Sequence, residues 1–322
     1  MNKDIISTTL HLLAENTEWE ERYAKYIRRN LIRKSSKRPF NKPEGLSLYS
    51  SVSGYKGQTY DLRFDGQSVG IVSCSTEGVM LYPRNENNKK YVGLDLDKEK
   101  YKWVSTDATQ FRKHFKDLAN SSVDIKLKSP EHRVENRLLK EFSKRTRAEG
   151  KALCNIQPIT LYGCYFQMPT PIKASEHHPE YAKQYGGGID ILARVKSSSG
   201  ESRICVMEVK DENKPSESQS AAMEQALTYA IFIARLLRSK SGQEWWDFFM
   251  DREFVSKTIP DKIDIDVVTI MPQGETEEYC GEDIEVKELS TVLHCHSLYY
   301  NHDDFKEGYF NFSGTYISQL RK

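Results

Sequence analysis

The hydrophobic residues of the first 34 positions recur at helical spacing in two segments. Ile5, Leu10 and Leu13 mark the first segment, and the capping-box sequence TEWE opens the second. We therefore predict two N-terminal helices. The second helix runs into the basic stretch RRNLIRKSSKRPFNK, which fits either a segment that contacts nucleic acid or a helix end followed by a solvated linker.

Between residues 46 and 105 the hydrophobic pattern changes to period two. In TYDLRFDG, aromatic and aliphatic side chains alternate with polar ones, and the final Asp-Gly pair supplies a tight hairpin turn. The sequences GVMLYP and KKYVGL are predicted as further strands, and TDATQFRKHFKDLAN as a closing helix. The pattern predicts a small β-rich domain over 46–125, preceded by helices and a basic linker over 1–45.

The rest of the chain, residues 126–322, alternates helix-like and strand-like segments and ends in an acidic extension. The predicted elements are a helix at 129–147, a strand at 158–168, a hairpin at 188–210, a helix from Ser216 to about Ser239 and strands at 262–271 and 291–300. Ser216 and Gln219 form a predicted capping box for the long helix. Apolar residues surround that helix almost completely, so we expect it to be sandwiched between layers. This order predicts an α+β or α/β fold with a central mixed sheet flanked by helices.

The composition is typical of a folded cytoplasmic protein. Charged residues make up 29% and aromatic residues 11% of the 322 positions. No apolar run approaches the ~20 residues needed to span a bilayer, and the start of the chain lacks a secretory-signal pattern. Six cysteines without a C-x-x-C pair fit reduced thiols better than a disulfide framework or a zinc cage. His294 and His296 share one side of a predicted strand, which fits an ordinary strand better than a metal site because no second ligand pair accompanies them.

Charge is distributed unevenly along the chain. The first 260 residues contain 42 basic and 33 acidic side chains, whereas the last 62 contain 5 basic and 13 acidic ones, for an overall net charge of +1. A polyanionic partner is therefore expected to contact the first 260 residues.

Three ionisable side chains stand out in the predicted hairpin. Glu208 and Lys210, in ICVMEVKDEN, are two positions apart, so a strand directs both to the same face. Asp190, in GGGIDILARV, can converge on them from the adjacent strand. Neighbouring carboxylates repel unless a cation lies between them, and Mg²⁺ favours oxygen ligands. We predict a metal site with Asp190, Glu208 and the Val209 carbonyl as ligands, and Lys210 beside an attacking water.

The joint pattern of GID, EVK and Q-x-x-x-Y resembles the PD-(D/E)xK nuclease superfamily, near its RecB-like and lambda-exonuclease-like branch. The residues that carry the resemblance are Asp190, Glu208, Lys210, Gln225 and Tyr229. It covers about 129–272, and Ile189 stands where the family's name has proline. The resemblance implies a restriction-endonuclease-like core, a Mg²⁺ cofactor for which Mn²⁺ can substitute, and contact of Gln225 and Tyr229 with the DNA backbone.

The same resemblance implies a further acidic or histidine side chain from the preceding helix. Glu135 lies at the edge of that helix's apolar stripe, and Glu131 and His132 are alternatives one turn earlier. His177 and His178 lie in a polar loop and are predicted to line the rim of the cleft rather than to bind metal.

The predicted function is a Mg²⁺-dependent nuclease that hydrolyses phosphodiester bonds, with DNA as the expected substrate, by attack of an activated water that leaves a 5′-phosphate. The alternative is a catalytically silent nucleic-acid-binding or regulatory subunit of a defence or recombination complex. Many phage-defence proteins consist of a nuclease domain joined to a second domain. The link to phage defence is therefore an analogy between domain arrangements. The pattern does not determine whether the substrate is DNA or RNA, or whether one or two metal ions bind. It also does not determine whether the chain forms a homo-oligomer or binds partner subunits.

Overall fold

The protein is described by a computed structural model. The structure describes the whole chain except residues 1, 35–37, 52–57, 122–129, 144–154, 162, 175–177, 197–201, 212–216, 251–257, 275–280, 308–309 and 321–322. The chain divides into two compact units, of which the first comprises 1–33, 140–159 and 167–322 and the second comprises 34–139 and 160–166. The predicted division at 45 and 125 therefore differs from these units, because the two N-terminal helices group with the C-terminal part of the chain.

The helices of the described residues range from one and a half to five turns. They are α1 (Asn2–Glu15), α2 (Glu18–Lys34), α3 (Asn85–Val92), α4 (Thr106–Ala119), α5 (Pro130–Ser143), α6 (Gln219–Leu237), α7 (Gly242–Phe249), α8 (His302–Glu307) and α9 (Thr315–Leu320). A short 3₁₀ helix covers Lys287–Leu289. Within these ranges, every helix is too short or too polar to cross a bilayer.

The strands vary from two to ten residues. They are β1 (Ser47–Ser51), β2 (Gln58–Phe64), β3 (Gln67–Ser75), β4 (Gly78–Pro83), β5 (Tyr101–Lys102), β6 (Ile156–Pro158), β7 (Thr160–Leu161), β8 (Cys164–Thr170), β9 (Ile172–Lys173), β10 (Glu180–Tyr181), β11 (Gly187–Ile189), β12 (Ile191–Lys196), β13 (Ser202–Val209), β14 (Ile263–Pro272), β15 (Glu282–Val286), β16 (Thr291–Tyr300) and β17 (Phe312–Ser313). The protein is therefore a mixed α+β protein, as the sequence predicts.

The first unit is built on a mixed sheet with the strand order β15-β16-β14-β13-β12-β6 and β17 beside β16. Strands β13, β14 and β16 run parallel, and the others are antiparallel to their neighbours. The nearly continuous apolar sequences of β13 and β14 suit central parallel strands, which are covered on both faces. The predicted hairpin is confirmed, with its two arms in β12 and β13.

Helix α6 is enclosed almost completely, as its apolar sequence predicts. One side contacts β13 and β14, and other sides contact α1 and α7. The rings of Trp19 and Tyr23, on α2, pack edge-on against Phe232 with centroids 5.7 and 5.0 Å away. Burial of each such side chain stabilises the fold by about 1.5–3 kcal/mol, so α6 is a rigid platform for the polar residues that it carries.

Helix α6 begins at Gln219, three residues after the predicted start at Ser216. The Ser218 hydroxyl accepts the backbone N–H of Ala221 at 3.1 Å and caps the helix. The predicted cap, Ser216, lies outside the described residues. The Gln219 amide donates a hydrogen bond to the Thr269 hydroxyl on β14, and the predicted capping box of Gln219 with Ser216 stays a prediction.

The second unit contains an antiparallel sheet in the order β1-β2-β3-β4-β5. The predicted turn at Asp65-Gly66 is confirmed, with φ of 45° and 90° at the two residues. The closing helix is also confirmed, because α4 buries Phe111 and Phe115 in the core of this unit. The predicted strand in KKYVGL is wrong, since residues 85–92 form α3. Asn88 donates from its side chain to the Val69 carbonyl at 2.9 Å, and Gly93 ends the helix in the left-handed conformation.

Candidate active site

Asp190 lies opposite Glu208 at the start of the β12–β13 pair. The register joins Ile191 to Met207, so the next pair outward is Asp190 and Glu208. Residues that stand directly opposite in antiparallel strands direct their side chains to the same face. The Asp190 Oδ2 atom also accepts the backbone N–H of Val209 at 2.9 Å. The structure therefore brings together the two carboxyl groups that the sequence predicts as neighbours.

Lys210 is held by three acceptors. Its Nζ atom donates to Glu208 Oε1 at 2.8 Å and to Gln225 Oε1 at 3.1 Å, and it lies 3.1 Å from Glu217 Oε1. An ammonium has three N–H donors, so these contacts use all of them. The backbone of Lys210 is fixed as well, because its N–H donates to the Ile270 carbonyl at 2.9 Å and its carbonyl accepts the Tyr300 hydroxyl at 3.1 Å.

Gln225 and Tyr229 share a face of α6, one turn apart, with Gln225 Nε2 3.5 Å from the Tyr229 hydroxyl. The hydroxyl lies against the backbone of Gly187, where a Cβ atom would approach it to 2.7 Å. Gly186 is equally constrained, because a Cβ atom there would overlap the Ile172 carbonyl group. Gly186 is thus required by a close backbone approach to β9, and Gly187 leaves room for the Tyr229 hydroxyl of α6.

The Asp190 and Glu208 carboxyl groups and the Lys210 ammonium lie in a low-dielectric environment. Glu208 is only 1% and Lys210 only 4% exposed, whereas Asp190 is half-buried. Burial raises the pKa of Asp190 to about 6; the Val209 N–H and the Lys210 charge lower this pKa, while Glu217 raises it. A pKa of about 6 means that Asp190 is ionised in most molecules at pH 7 and protonated in most molecules at pH 5. Burial, followed by the Glu208 charge, raises the pKa of Tyr229, which keeps its phenol protonated.

The donor chemistry of this pair fits a small divalent cation. Within the described parts of the chain, no group of three or more His, Cys, Asp or Glu side chains lies close enough together to hold a metal ion. Mg²⁺ nevertheless needs only one or two carboxylates, since it keeps several waters and takes oxygen atoms from its substrate. Two ionised carboxylates that lie side by side repel each other, and such an ion would offset this repulsion. The Val209 carbonyl as a third ligand stays a prediction.

The predicted acid of the preceding helix belongs to the second unit. Glu135 is 3% exposed, and its Oε1 atom lies 3.9 Å from the Arg63 guanidinium, which also binds Asp61 at 2.7 Å. This arginine gives Glu135 a counter-charge within its own unit. The role of Glu135 in the site, and those of the alternatives Glu131 and His132, stay predictions.

One acidic residue beside Lys210 was not predicted from the sequence. Glu217 lies seven residues after Lys210 and just before α6, and its side chain is 19% exposed. No periodicity identifies it, because its position depends on the path of the chain between β13 and α6. Of the two predicted rim histidines, His178 is exposed and His177 lies outside the described residues.

The histidine pair of β16 lies on the strand that the sequence predicts. His294 Nε2 lies 2.7 Å from Asp264 Oδ1, and its Nδ1 lies 2.8 Å from Asp283 Oδ1. Both ring nitrogens therefore contact carboxylates of the neighbouring strands β14 and β15. The four described cysteines, Cys74, Cys164, Cys205 and Cys295, are free thiols.

Comparison of the chain with protein-family models, with curated proteins and with solved structures finds no match.

Proposed function

We propose that the protein is a metal-dependent nuclease that hydrolyses the phosphodiester bonds of DNA. The observation that supports this proposal is the meeting of Asp190, Glu208 and Lys210 at one point of the sheet, with Gln225 on α6 bonded to the lysine. The proposal includes a restriction-endonuclease-like core around the mixed sheet of the first unit. It also includes DNA-backbone contact by Gln225 and Tyr229.

In the proposed mechanism, the ionised Asp190 and Glu208 would hold the ion through carboxylate oxygens. When bound, Mg²⁺ supplies Lewis acidity toward the scissile phosphate and lowers the pKa of a water molecule. The Val209 N–H keeps the Asp190 carboxylate oriented toward Glu208. Lys210 lies beside the attacking water and offsets the negative charge that develops on the phosphate. Gln225 keeps the ammonium in place while this charge develops.

Substrate must displace one of the three acceptors of Lys210 before the ammonium can contact a phosphate. Glu217 is the acceptor that leaves, because its side chain is 19% exposed whereas that of Glu208 is 1% exposed. A phosphate oxygen carries the same charge as the carboxylate that it replaces, so the buried ammonium stays neutralised throughout. The exchange avoids the several kcal/mol that an unpaired buried charge costs.

The second candidate function is a nucleic-acid-binding or regulatory subunit without catalysis. The observation that favours it is the full occupancy of the Lys210 donors within a nearly closed site. In that case the ion pair of Glu208 and Lys210 is a structural element of the sheet, and DNA binds without being cut.

The deciding experiment incubates the purified chain with supercoiled plasmid, linear duplex and single-stranded DNA in Mg²⁺, in Mn²⁺ and in EDTA, followed by analysis of the new ends. We expect metal-dependent cutting that leaves 5′-phosphates, and a loss of at least about 100-fold in Asp190→Asn and Lys210→Met, by analogy with removal of other charge-stabilising groups. The matched control is Lys262→Met, which removes a lysine paired with Glu285 at 3.6 Å on the surface. Cutting by both site variants at the wild-type rate would exclude the proposed site, and binding without cutting by the wild type would favour the second function.

A further inference from the structure

The second unit contains a basic cavity that no step of the proposed chemistry uses. It has a volume of about 560 Å³ and lies between the segment 39–44 and helix α4, with Trp103 in its wall. Its basic residues are Lys42, Arg112, Lys113 and Lys116, and its only carboxylate among the described lining residues is Glu44. Four cations and one anion therefore surround one opening.

The walls of this cavity are fixed by backbone contacts. Gly45, directly after the 39–44 segment, has a φ of 79°, and a Cβ atom there would lie 2.5 Å from the Phe115 carbonyl oxygen of α4. Only glycine allows this approach together with this backbone conformation. Below the opening, the rings of Phe40 and Trp103 are buried and pack with centroids 4.9 Å apart. The cations are therefore mounted on a rigid frame, so a ligand does not have to organise the cavity.

The cations of the cavity retain unused binding capacity. Lys42 and Lys113 are exposed and form no ion pair with any other described residue. Arg112 donates to the Trp103 carbonyl at 2.7 Å and to the Thr109 hydroxyl at 2.9 Å, which uses two of its five N–H groups. Lys116 pairs with Glu44 at 2.5 Å, and both side chains are at least half exposed, so this pair is weak and can exchange partners.

The aromatic residues indicate what part of a polyanion the cavity can recognise. The Arg112 guanidinium lies 4.4 Å from the centre of the Trp103 ring, and Phe40 packs against the same indole. The indole therefore offers no free face on which a nucleobase could stack, whereas Lys42 and Lys113 are exposed, with the Lys42 ammonium 5.8 Å from the centre of the Tyr165 ring. The cavity can therefore contact the phosphodiester backbone but not the bases, so its binding is expected to be independent of sequence.

We infer that the cavity bounded by Lys42, Arg112 and Lys113 binds the phosphodiester backbone of DNA and gives the β-rich unit a substrate-holding role. The identity of the polyanion rests on the proposed nuclease function. The cavity itself is a separate binding site in a separate unit, and its cations contribute affinity through release of counterions from the DNA.

The test measures binding of the full chain to fluorescein-labelled single-stranded and duplex DNA by anisotropy in EDTA, at several salt concentrations. We expect Lys42→Gln/Lys113→Gln to weaken binding roughly 10-fold and to reduce the slope of log K against log salt by roughly 1 to 2, since each phosphate contact contributes about 0.9. The matched control, Lys90→Gln/Lys100→Gln, removes two exposed lysines from the same unit and should bind as the wild type does. Lys42→Arg/Lys113→Arg keeps the charge and should keep the affinity.

Equal affinity of the glutamine variant and the wild type would overturn the inference, as would absence of DNA binding by the wild type. Preference of the wild type for vesicles containing phosphatidylglycerol over DNA would also overturn it. Because EDTA prevents cleavage, the result does not depend on the nuclease assay. A chain that binds DNA through this cavity and cuts nothing would leave the inference standing while the proposed catalytic function fails.

Discussion

The hydroxyl of Tyr229 lies 2.7 Å from the position that a Cβ atom of Gly187 would occupy. This contact joins the glycine-rich approach to Asp190 with the helix that carries Gln225. It accounts for the glycine three positions before the acidic residue, because a Cβ atom there would displace the Tyr229 hydroxyl. The geometry of the acidic site therefore depends on the absence of a side chain as well as on the charged groups.

Gly187→Ala is expected to displace Tyr229 and to lower DNA cleavage more than 10-fold, with a loss of about 1–3 kcal/mol in the free energy of unfolding from overpacking. The matched control is Gly188→Ala. A Cβ atom there would lie 3.1 Å from the hydroxyl of Tyr185, a side chain that is 59% exposed and can move. Urea unfolding and cleavage rates check both variants, and equal behaviour of the two would contradict the steric argument.

Removal of the Lys210 ammonium should leave a buried carboxylate without its main counter-charge. We expect Lys210→Met to lower the free energy of unfolding by about 3–5 kcal/mol, because Glu208 is 1% exposed. The double variant Glu208→Gln/Lys210→Met removes both charges and should recover more than half of this loss. Urea unfolding of the two variants checks the interaction between the Glu208 and Lys210 charges. A double variant less stable than Lys210→Met would show that this interaction is absent.

The raised pKa of Asp190 predicts a pH dependence of stability in EDTA. The folded-state pKa is about 6 against an ordinary value of 3.8, so folding favours the protonated carboxyl group. The resulting stabilisation is complete below pH ~4 and is lost as the pH rises through 6. We expect the free energy of unfolding of the wild type, relative to Asp190→Asn, to fall by about 2 kcal/mol between pH 4 and pH 7. A difference that is constant over this range would contradict the burial of Asp190.

Binding of Mg²⁺ should show the opposite pH dependence, because the ion requires both carboxyl groups to be ionised. We expect addition of Mg²⁺ to raise the melting temperature of the wild type more at pH 8 than at pH 5. The Asp190→Asn variant should show little change at either pH. Thermal unfolding with Mg²⁺ alone, without DNA, checks this, and Ca²⁺ serves as a control for a cation that prefers more ligands. An equal shift in the variant would place the binding ion elsewhere.

The face of the sheet opposite the acidic site carries a polar group of its own. The Tyr316 hydroxyl donates to Asp266 Oδ2 at 2.9 Å, and Asp266 is 2% exposed. Asp266 pairs with Cys205, which is three positions from Glu208 and so faces the other side of β13. Burial raises the pKa of Asp266, and the Tyr316 hydrogen bond lowers this pKa.

Tyr316→Phe should therefore lower the free energy of unfolding by about 1–3 kcal/mol, since a buried acceptor loses its donor. Cleavage of DNA by the folded variant should match that of the wild type. Urea unfolding and a cleavage assay well below the melting temperature check the two expectations. A loss of cleavage without a loss of stability would mean that the two faces of the sheet are coupled.

The sequence by itself determined the properties that depend on neighbouring residues. The spacing of Glu208 and Lys210 put them on one face, because successive strand residues alternate in direction. The apolar circumference of α6 required burial on all sides, and Asp65-Gly66 required a tight turn. Each of these patterns involves residues close together in the sequence, so the features can be predicted without knowledge of tertiary contacts. Where a local pattern failed, in the predicted strand KKYVGL, a distant acceptor decided the outcome, since Asn88 binds the Val69 carbonyl.

Only the tertiary structure decided which distant segments meet. The approach of Glu217 to Lys210, the closure of Tyr229 on Gly187 and the cavity between 39–44 and α4 all depend on strand register and on the paths of loops. The grouping of the N-terminal helices with the C-terminal part of the chain is of the same kind. Such contacts form because they bury apolar surface and satisfy polar groups across the whole fold, and that sum is not encoded in any short stretch of residues.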